Sequence, residues 1–219
     1  MSMIAKDNGG VSIPPLEAGV YPAIGSMMVD IGVQVSEKFG KSQRKFRMFW
    51  DIVGETIDIN GEQFPRRMSK EYSFSLGEKS NLRKDLQAWR GKPFTEEELQ
   101  GFALVNVLNK GCQLQIINEE KNGKTYNNIA AIMALPKGTK LEELQETIIF
   151  DMENPDSFKY WEKIPGWIQE QIKKAVNYEE SGLSEFVEEY EKENNKNDSK
   201  EDNTEEIPEE LISEDDLPF

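Results

Sequence analysis

The sequence predicts a mainly β protein with helices (α+β): a five-stranded barrel, a helical insertion between strands 3 and 4, a C-terminal helix and a disordered acidic tail. Three observations predict it. Long stretches between residues 20 and 76 are rich in β-branched and aromatic residues and keep a period of two. Asn60-Gly61 and Asn122-Gly123 stand where tight hairpin turns are needed. Charge is segregated along the chain. Residues 179–219 hold seventeen Asp and Glu against three Lys, a net of −14, whereas residues 1–178 balance twenty-three basic against twenty-four acidic side chains. So acidic a run, with few large apolar residues, cannot bury enough surface to offset its ordering entropy.

Residues 1–16 contain Gly and Pro and read as a flexible lead-in to a folded domain over residues 17–178, long enough for a real core. Residues 20–35 are the first strand. One face takes Tyr21, Ala23, Met27, Val29, Ile31 and Val33, and the other Ser26, Asp30 and Gln34, a half-buried pattern. Gly25 and Gly32 stand where a barrel strand bends or bulges. After a loop over residues 36–43, strand two covers residues 44–59. Its even positions Phe46, Met48, Trp50 and Ile52 form a core row, and its odd positions Lys45, Arg47 and Phe49 face away. Strand three follows the Asn60-Gly61 turn over about residues 64–76. Met68, Tyr72, Phe74 and Leu76 share one face, and Arg67, Ser69, Glu71, Ser73 and Ser75 share the other.

Helical periods come next. Ser80 caps a helix bearing Leu82, Leu86 and Trp89, stopped by Gly91. Thr95 and Glu98 make a capping box, with Phe94 stapled to Leu99, for a helix reaching about Asn109. Residues 112–118 and 125–133 are strands four and five around Asn122-Gly123. Residues 136–150 are a connector. Residues 151–176 are helical, with Phe158, Trp161, Ile164, Trp167, Ile168 and Ile172 as the apolar set and Pro165 opening the second half. This segment packs on the barrel or on a second subunit, so a homodimer is among the expected partners. The order β-β-β-α-β-β is that of an OB barrel.

The chain has no histidine, and Cys112 is its one cysteine. That excludes Ser-His-Asp and Cys-His machinery, zinc clusters and disulfide frameworks. Neither GxxxxGK(S/T) nor GxGxxG occurs. Asp51, Glu55 and Asp58 lie close in sequence, as a magnesium nuclease would need, but read as strand-surface charges. A non-enzyme without cofactor or metal is expected. No segment approaches the ~18 apolar residues of a membrane span, and residues 1–6 do not have the makeup of a signal peptide. The expected place is the cytoplasm, with no membrane partner.

Residues 38–50 hold five basic side chains and no acidic one. Binding a single strand needs cations along the phosphates and aromatic faces for the bases. Lys45, Arg47 and Phe49 make an outward stripe, with Arg44 beside them, and Lys38, Phe39 and Lys41 occupy the loop that OB folds use for oligonucleotides. Arg66, Arg67 and Lys70 extend the set on strand three, followed by Arg83, Lys84, Arg90 and Lys92 as either contacts or plain surface. Lys121, Lys124 and Tyr126 on the second hairpin either clamp a strand or discourage edge pairing.

The closing residues Asp215-Asp216-Leu217-Pro218-Phe219 resemble the terminal peptide of bacterial single-stranded DNA-binding proteins. The body resembles the phage-encoded members, which join a divergent OB barrel to the same type of tail. The resemblance implies a protein of phage DNA replication or recombination, working in the bacterial host cytoplasm. It implies that the barrel holds single-stranded DNA and that Asp215, Asp216, Leu217, Pro218 and Phe219 dock replication and repair proteins. The −14 tail is expected to compete with DNA for the basic groove. The alternative is a non-catalytic replisome adaptor that does not touch DNA.

Overall fold

The computed structural model describes residues 14–36, 40–59 and 61–201, with side chains for all of these but 59 and 194–201. Five strands, β1 (Gly19–Val35), β2 (Ser42–Ile59), β3 (Glu62–Ser73), β4 (Gly111–Lys121) and β5 (Lys124–Met133), pair in the order β3-β2-β1-β4-β5. A short β6 (Ile148–Phe150), inside the expected connector, also pairs with β1. β4 runs antiparallel to β1, with Gly19 opposite Ile116, and antiparallel to β5, with Lys121 opposite Lys124. The ends of this order meet. Arg66 Nη2 on β3 donates to Asn127 Oδ1 on β5 at 3.4 Å, so the sheet is curled rather than flat. The fold is thus mainly β with helices, as the strand patterns predict.

The described chain divides into two compact units, one holding residues 14–27 and Arg47–Thr147, the other Met28–Phe46 and residues 148–201. β1 and β2 contribute residues to both.

In the first unit the expected core row of β2 is inside: Met48, Trp50 and Ile52 are buried. α1 (Asn81–Arg90) begins and ends as its caps require. Ser80 Oγ accepts from the Arg83 N–H, and Gly91 closes the helix in the left-handed region at φ 66°. Its stripe Leu82, Leu86 and Trp89 is buried, and Trp89 meets Trp50 at 5.8 Å between ring centroids. Gly25 has a packing reason for its lack of a side chain, since a Cβ there would lie 2.7 Å from Met48 Cε and 2.9 Å from the Val107 carbonyl oxygen. The Asn122-Gly123 turn has both residues at positive φ, 52° and 75°, as a two-residue hairpin of this kind demands.

Several expectations are corrected. The second helix does not reach Asn109: α2 (Glu96–Gln100) keeps its capping box but ends before Gly101, which is extended, and only a 3₁₀ turn follows at Leu104–Val107. Glycine costs about 1 kcal/mol in a helix interior, and the β-branched Val105 and Val107 add to it. Phe94 packs edge-on against Phe102 at 5.1 Å. β1 is not half-buried. Residues 23–32 are buried throughout, because it is the central strand of the sheet order, and its polar Ser26 and Asp30 are inside with partners. Phe74 lies past the end of β3 and is 49% exposed.

In the second unit, a 3₁₀ helix at Pro155–Lys163 buries Phe158 and Trp161 and is followed by buried Ile164. Their spacing of three matches the three residues per turn of that helix. α3 (Gly166–Lys173), entered through Pro165, buries Ile168 and Ile172. Trp167, expected with the apolar set, is 42% exposed. The disordered tail was expected to begin at residue 179. Instead Glu179–Ser181 is a 3₁₀ turn and α4 (Leu183–Glu201) follows. Leu183, Phe186, Val187 and Tyr190 recur at helical spacing within the acidic run. Leu183 and Val187 are buried, and Phe186 lies 5.4 Å from Phe158 and 6.2 Å from Tyr190.

Cys112 on β4 is fully buried, and burial pushes its thiol well above the ordinary range. A thiol reagent at neutral pH is expected to leave the native chain unlabelled and to label one site once denaturant is added. Rapid labelling of the native chain would contradict this packing of β4.

Candidate nucleic-acid interface

The residues proposed from sequence to meet DNA fall into four places. Lys38 and Phe39 lie outside the described residues, as do Asp215, Asp216, Leu217, Pro218 and Phe219.

The first place is the polar face of β2 and β3 in the first unit. Alternation puts Arg47 and Asp51 of β2 on one face, and Arg67, Ser69 and Glu71 of β3 join them. Arg67 is bidentate on Asp51, Nε to Oδ1 at 2.6 Å and Nη2 to Oδ2 at 3.2 Å. Asp51 is buried and also accepts from Ser26 Oγ at 2.7 Å, so a polar row crosses β1, β2 and β3. Arg47 donates to Ser69 and Glu71, each at 3.4 Å, and burial lowers its pKa. Phe49 does not belong to an outward stripe. It is 3% exposed and cannot stack a base, a correction to the two-sided reading of β2. Lys70 stands one step out of phase with Arg67 and Ser69. Its Nζ meets Asp85 of α1 at 2.7 Å and lies 5.7 Å from the Tyr72 ring. Tyr72 donates to the same carboxylate at 2.7 Å, and burial, then Asp85, raises its pKa.

The second place is a groove of about 510 Å³ beside Arg66, lined by Pro14, Leu16, Tyr21, Glu55 and Asp58 among others. The lead-in forms one wall because Asn127 holds it. Its side chain accepts from the Leu16 N–H at 2.8 Å and donates to the Leu16 carbonyl at 2.9 Å. Arg66 hydrogen-bonds only Asn127 among the described residues, and burial lowers its pKa against the pull of Glu55. Unlike Arg47, Arg67 and Lys70, which each pair with a carboxylate, Arg66 hydrogen-bonds a side-chain amide. Asp58 accepts from the Gly61 N–H and from Gln63, each at 2.9 Å. With Asp51 on Arg67, the nuclease-like carboxylates have other work, and among the described residues no group of three acidic, His or Cys side chains is placed for a metal ion.

The third place is the β4–β5 hairpin. Lys121 pairs with Lys124, and Tyr126 with Glu119, so these four share one face. Asn118 and Asn127 share the other, where Arg66 arrives. The hairpin lysines and Arg66 are therefore on opposite faces. Lys121 lies 3.2 Å from Glu119, Lys124 is exposed and Tyr126 is half-buried.

The fourth place is the start of β2 in the second unit. Lys41 is exposed and Lys45 half-buried. Arg44 meets buried Asp30 at 2.6 Å, Asp151 at 3.1 Å and Glu153 at 2.9 Å, and the Asp30 bond raises its pKa. It pins the β1–β2 hairpin to the turn after β6.

Sequence reasoning missed the partners of these cations. The sequence pattern puts Asp30 on the polar face of β1 and Asp51 at the strand surface, whereas each holds an arginine of the neighbouring strand, Arg44 and Arg67. Of the further basic side chains, Arg90 lies 4.4 Å from the Phe94 ring and 4.9 Å from Phe102 and pairs with Glu98, which makes it a packing residue. No protein-family model matches the chain, and no curated protein matches it. Among the described residues, no helix is long and apolar enough to cross a membrane.

Proposed function

We propose that this chain is a single-stranded DNA-binding protein built on an OB-type barrel, coating strands without strong sequence preference and recruiting replication or repair proteins through residues 215–219. The observation that carries the reading is the strand order β3-β2-β1-β4-β5 with β3 meeting β5 and the helices inserted between β3 and β4, an arrangement that agrees with an OB barrel. The resemblance of the closing residues to the family's terminal peptide supports it, and phage replication in a bacterial cytoplasm is the setting that resemblance implies.

Phosphates would enter by exchange. Arg47, Arg67 and Lys70 hold carboxylates in partly exposed ion pairs. The carboxylates of these pairs are themselves largely buried, so a phosphate can take a cation only where the displaced carboxylate finds another partner. Arg66 needs no such exchange. The exchange makes affinity modest and salt-dependent.

The same pairing favours a second reading, a replisome adaptor whose charges serve the fold and which meets other proteins through its tail. A native gel separates the two. The first reading expects the full chain to retard an oligo-dT strand and to leave a duplex of equal length free. Retardation of neither would leave the adaptor.

A further inference from the structure

We infer that Lys159, Tyr160, Lys163 and Trp167 of the second unit form a further contact for single-stranded nucleic acid, an inference that rests on the reading above. None of the four belongs to the basic clusters of the strands. Lys159, Tyr160 and Lys163 come together on the 3₁₀ helix at Pro155–Lys163, and Trp167 follows four residues on in α3. With three residues per turn, side chains three apart stand in rows. One row, Phe158, Trp161 and then Ile164, is buried. The next carries Tyr160 and Lys163, and the last carries Asp156, Lys159 and Glu162. Tyr160 is half-buried and has two ammonium groups near its ring, Lys159 Nζ at 5.1 Å and Lys163 Nζ at 5.8 Å. In the first turn of α3, Trp167 is 42% exposed although the neighbouring Ile168 is fully buried.

An indole and a phenol at the surface, each with lysine close in sequence or space, supply what an unpaired strand needs: flat faces for bases and cations for the phosphates between them. A duplex hides its base faces and gains only the charge contact. Asp156 and Glu162 keep the local charge balanced, so stacking contributes more than phosphate attraction here.

The test uses the full chain, a dye-labelled oligo-dT strand and anisotropy titrations at several salt concentrations. Trp167→Ala is expected to weaken binding about tenfold, with Trp167→Phe retaining most of it. The pair Lys159→Gln and Lys163→Gln is expected to reduce the slope of log affinity against log salt by about 1.4, at about 0.7 per lost phosphate contact. Circular dichroism is expected to show each variant folded. If the full chain binds and every variant matches its affinity and slope, the patch is overturned while the DNA-binding reading stands. If the full chain does not bind, that reading falls and the patch with it.

Discussion

A chain ending after Tyr178 is expected to lose about 4 kcal/mol of stability, whereas one ending after Glu193 keeps it. The cut at 178 falls where the charge changes, yet the helix that follows closes the core of the second unit. Leu183 and Val187 are 0% and 2% exposed. Burying a Leu or Val side chain is worth about 1.5–3 kcal/mol, and the ring contacts of Phe186 with Phe158 and Tyr190 would go too. The surface pair Lys173–Glu191 at 2.9 Å adds at most a fraction of this. For a chain of this size the loss corresponds to a melting point lower by roughly 10 °C. Calorimetry of the two truncations decides it: equal melting points would show that α4 adds nothing to the fold.

Gly32→Ala is expected to cost about 2–5 kcal/mol, from two sources that can be separated. Gly32 has φ 71°, in the left-handed region, where a Cβ costs about 1–2 kcal/mol. The added carbon would also lie 2.6 Å from Ala175 Cβ and 2.8 Å from both Asn177 Oδ1 and Met152 Sδ. Asn177 cannot retreat freely, because its Oδ1 accepts from the Val33 N–H at 2.8 Å and the Val33 carbonyl takes the Val176 N–H at 2.9 Å. Overpacking of this kind costs about 1–3 kcal/mol. Gly54 provides the control: its φ is 84°, but nothing lies within 4 Å of its Cβ position. Gly54→Ala should therefore show the backbone cost alone, about 1–2 kcal/mol. Chemical denaturation of the two variants measures the difference, and equal losses would contradict the packing around Gly32.

Where one residue type decides the outcome locally, the fold was legible in the sequence. The Ser80 and Gly91 caps, the Thr95–Glu98 box and the Asn122-Gly123 turn stand as their chemistry demands. Period two found the β2 core row. It failed where a strand is enclosed on both sides: β1 and the middle of β2 bury alternate residues of either parity, so Ser26, Phe49 and Asp51 are inside. Charge misled at the C-terminus, since a net count does not see an apolar residue every three or four positions. For the candidate interface, the sequence supplied the cations but not their neighbours. Whether Arg67 is open or held depends on Asp51 across the strand gap, which only the pairing shows. Arg66 owes its place to the meeting of β3 with β5 and to a lead-in anchored by Asn127, both long-range.

The most direct test of the central claim is an equilibrium titration of labelled oligo-dT and a matched duplex. It is run at low and moderate salt with the full chain and with one ending after Glu193, which removes ten acidic and two basic residues. The account predicts binding to the single strand in preference to the duplex, weaker as salt rises, and tighter at low salt without residues 194–219. Absence of single-strand binding by both chains would contradict it and leave a curled sheet whose cations serve the fold alone.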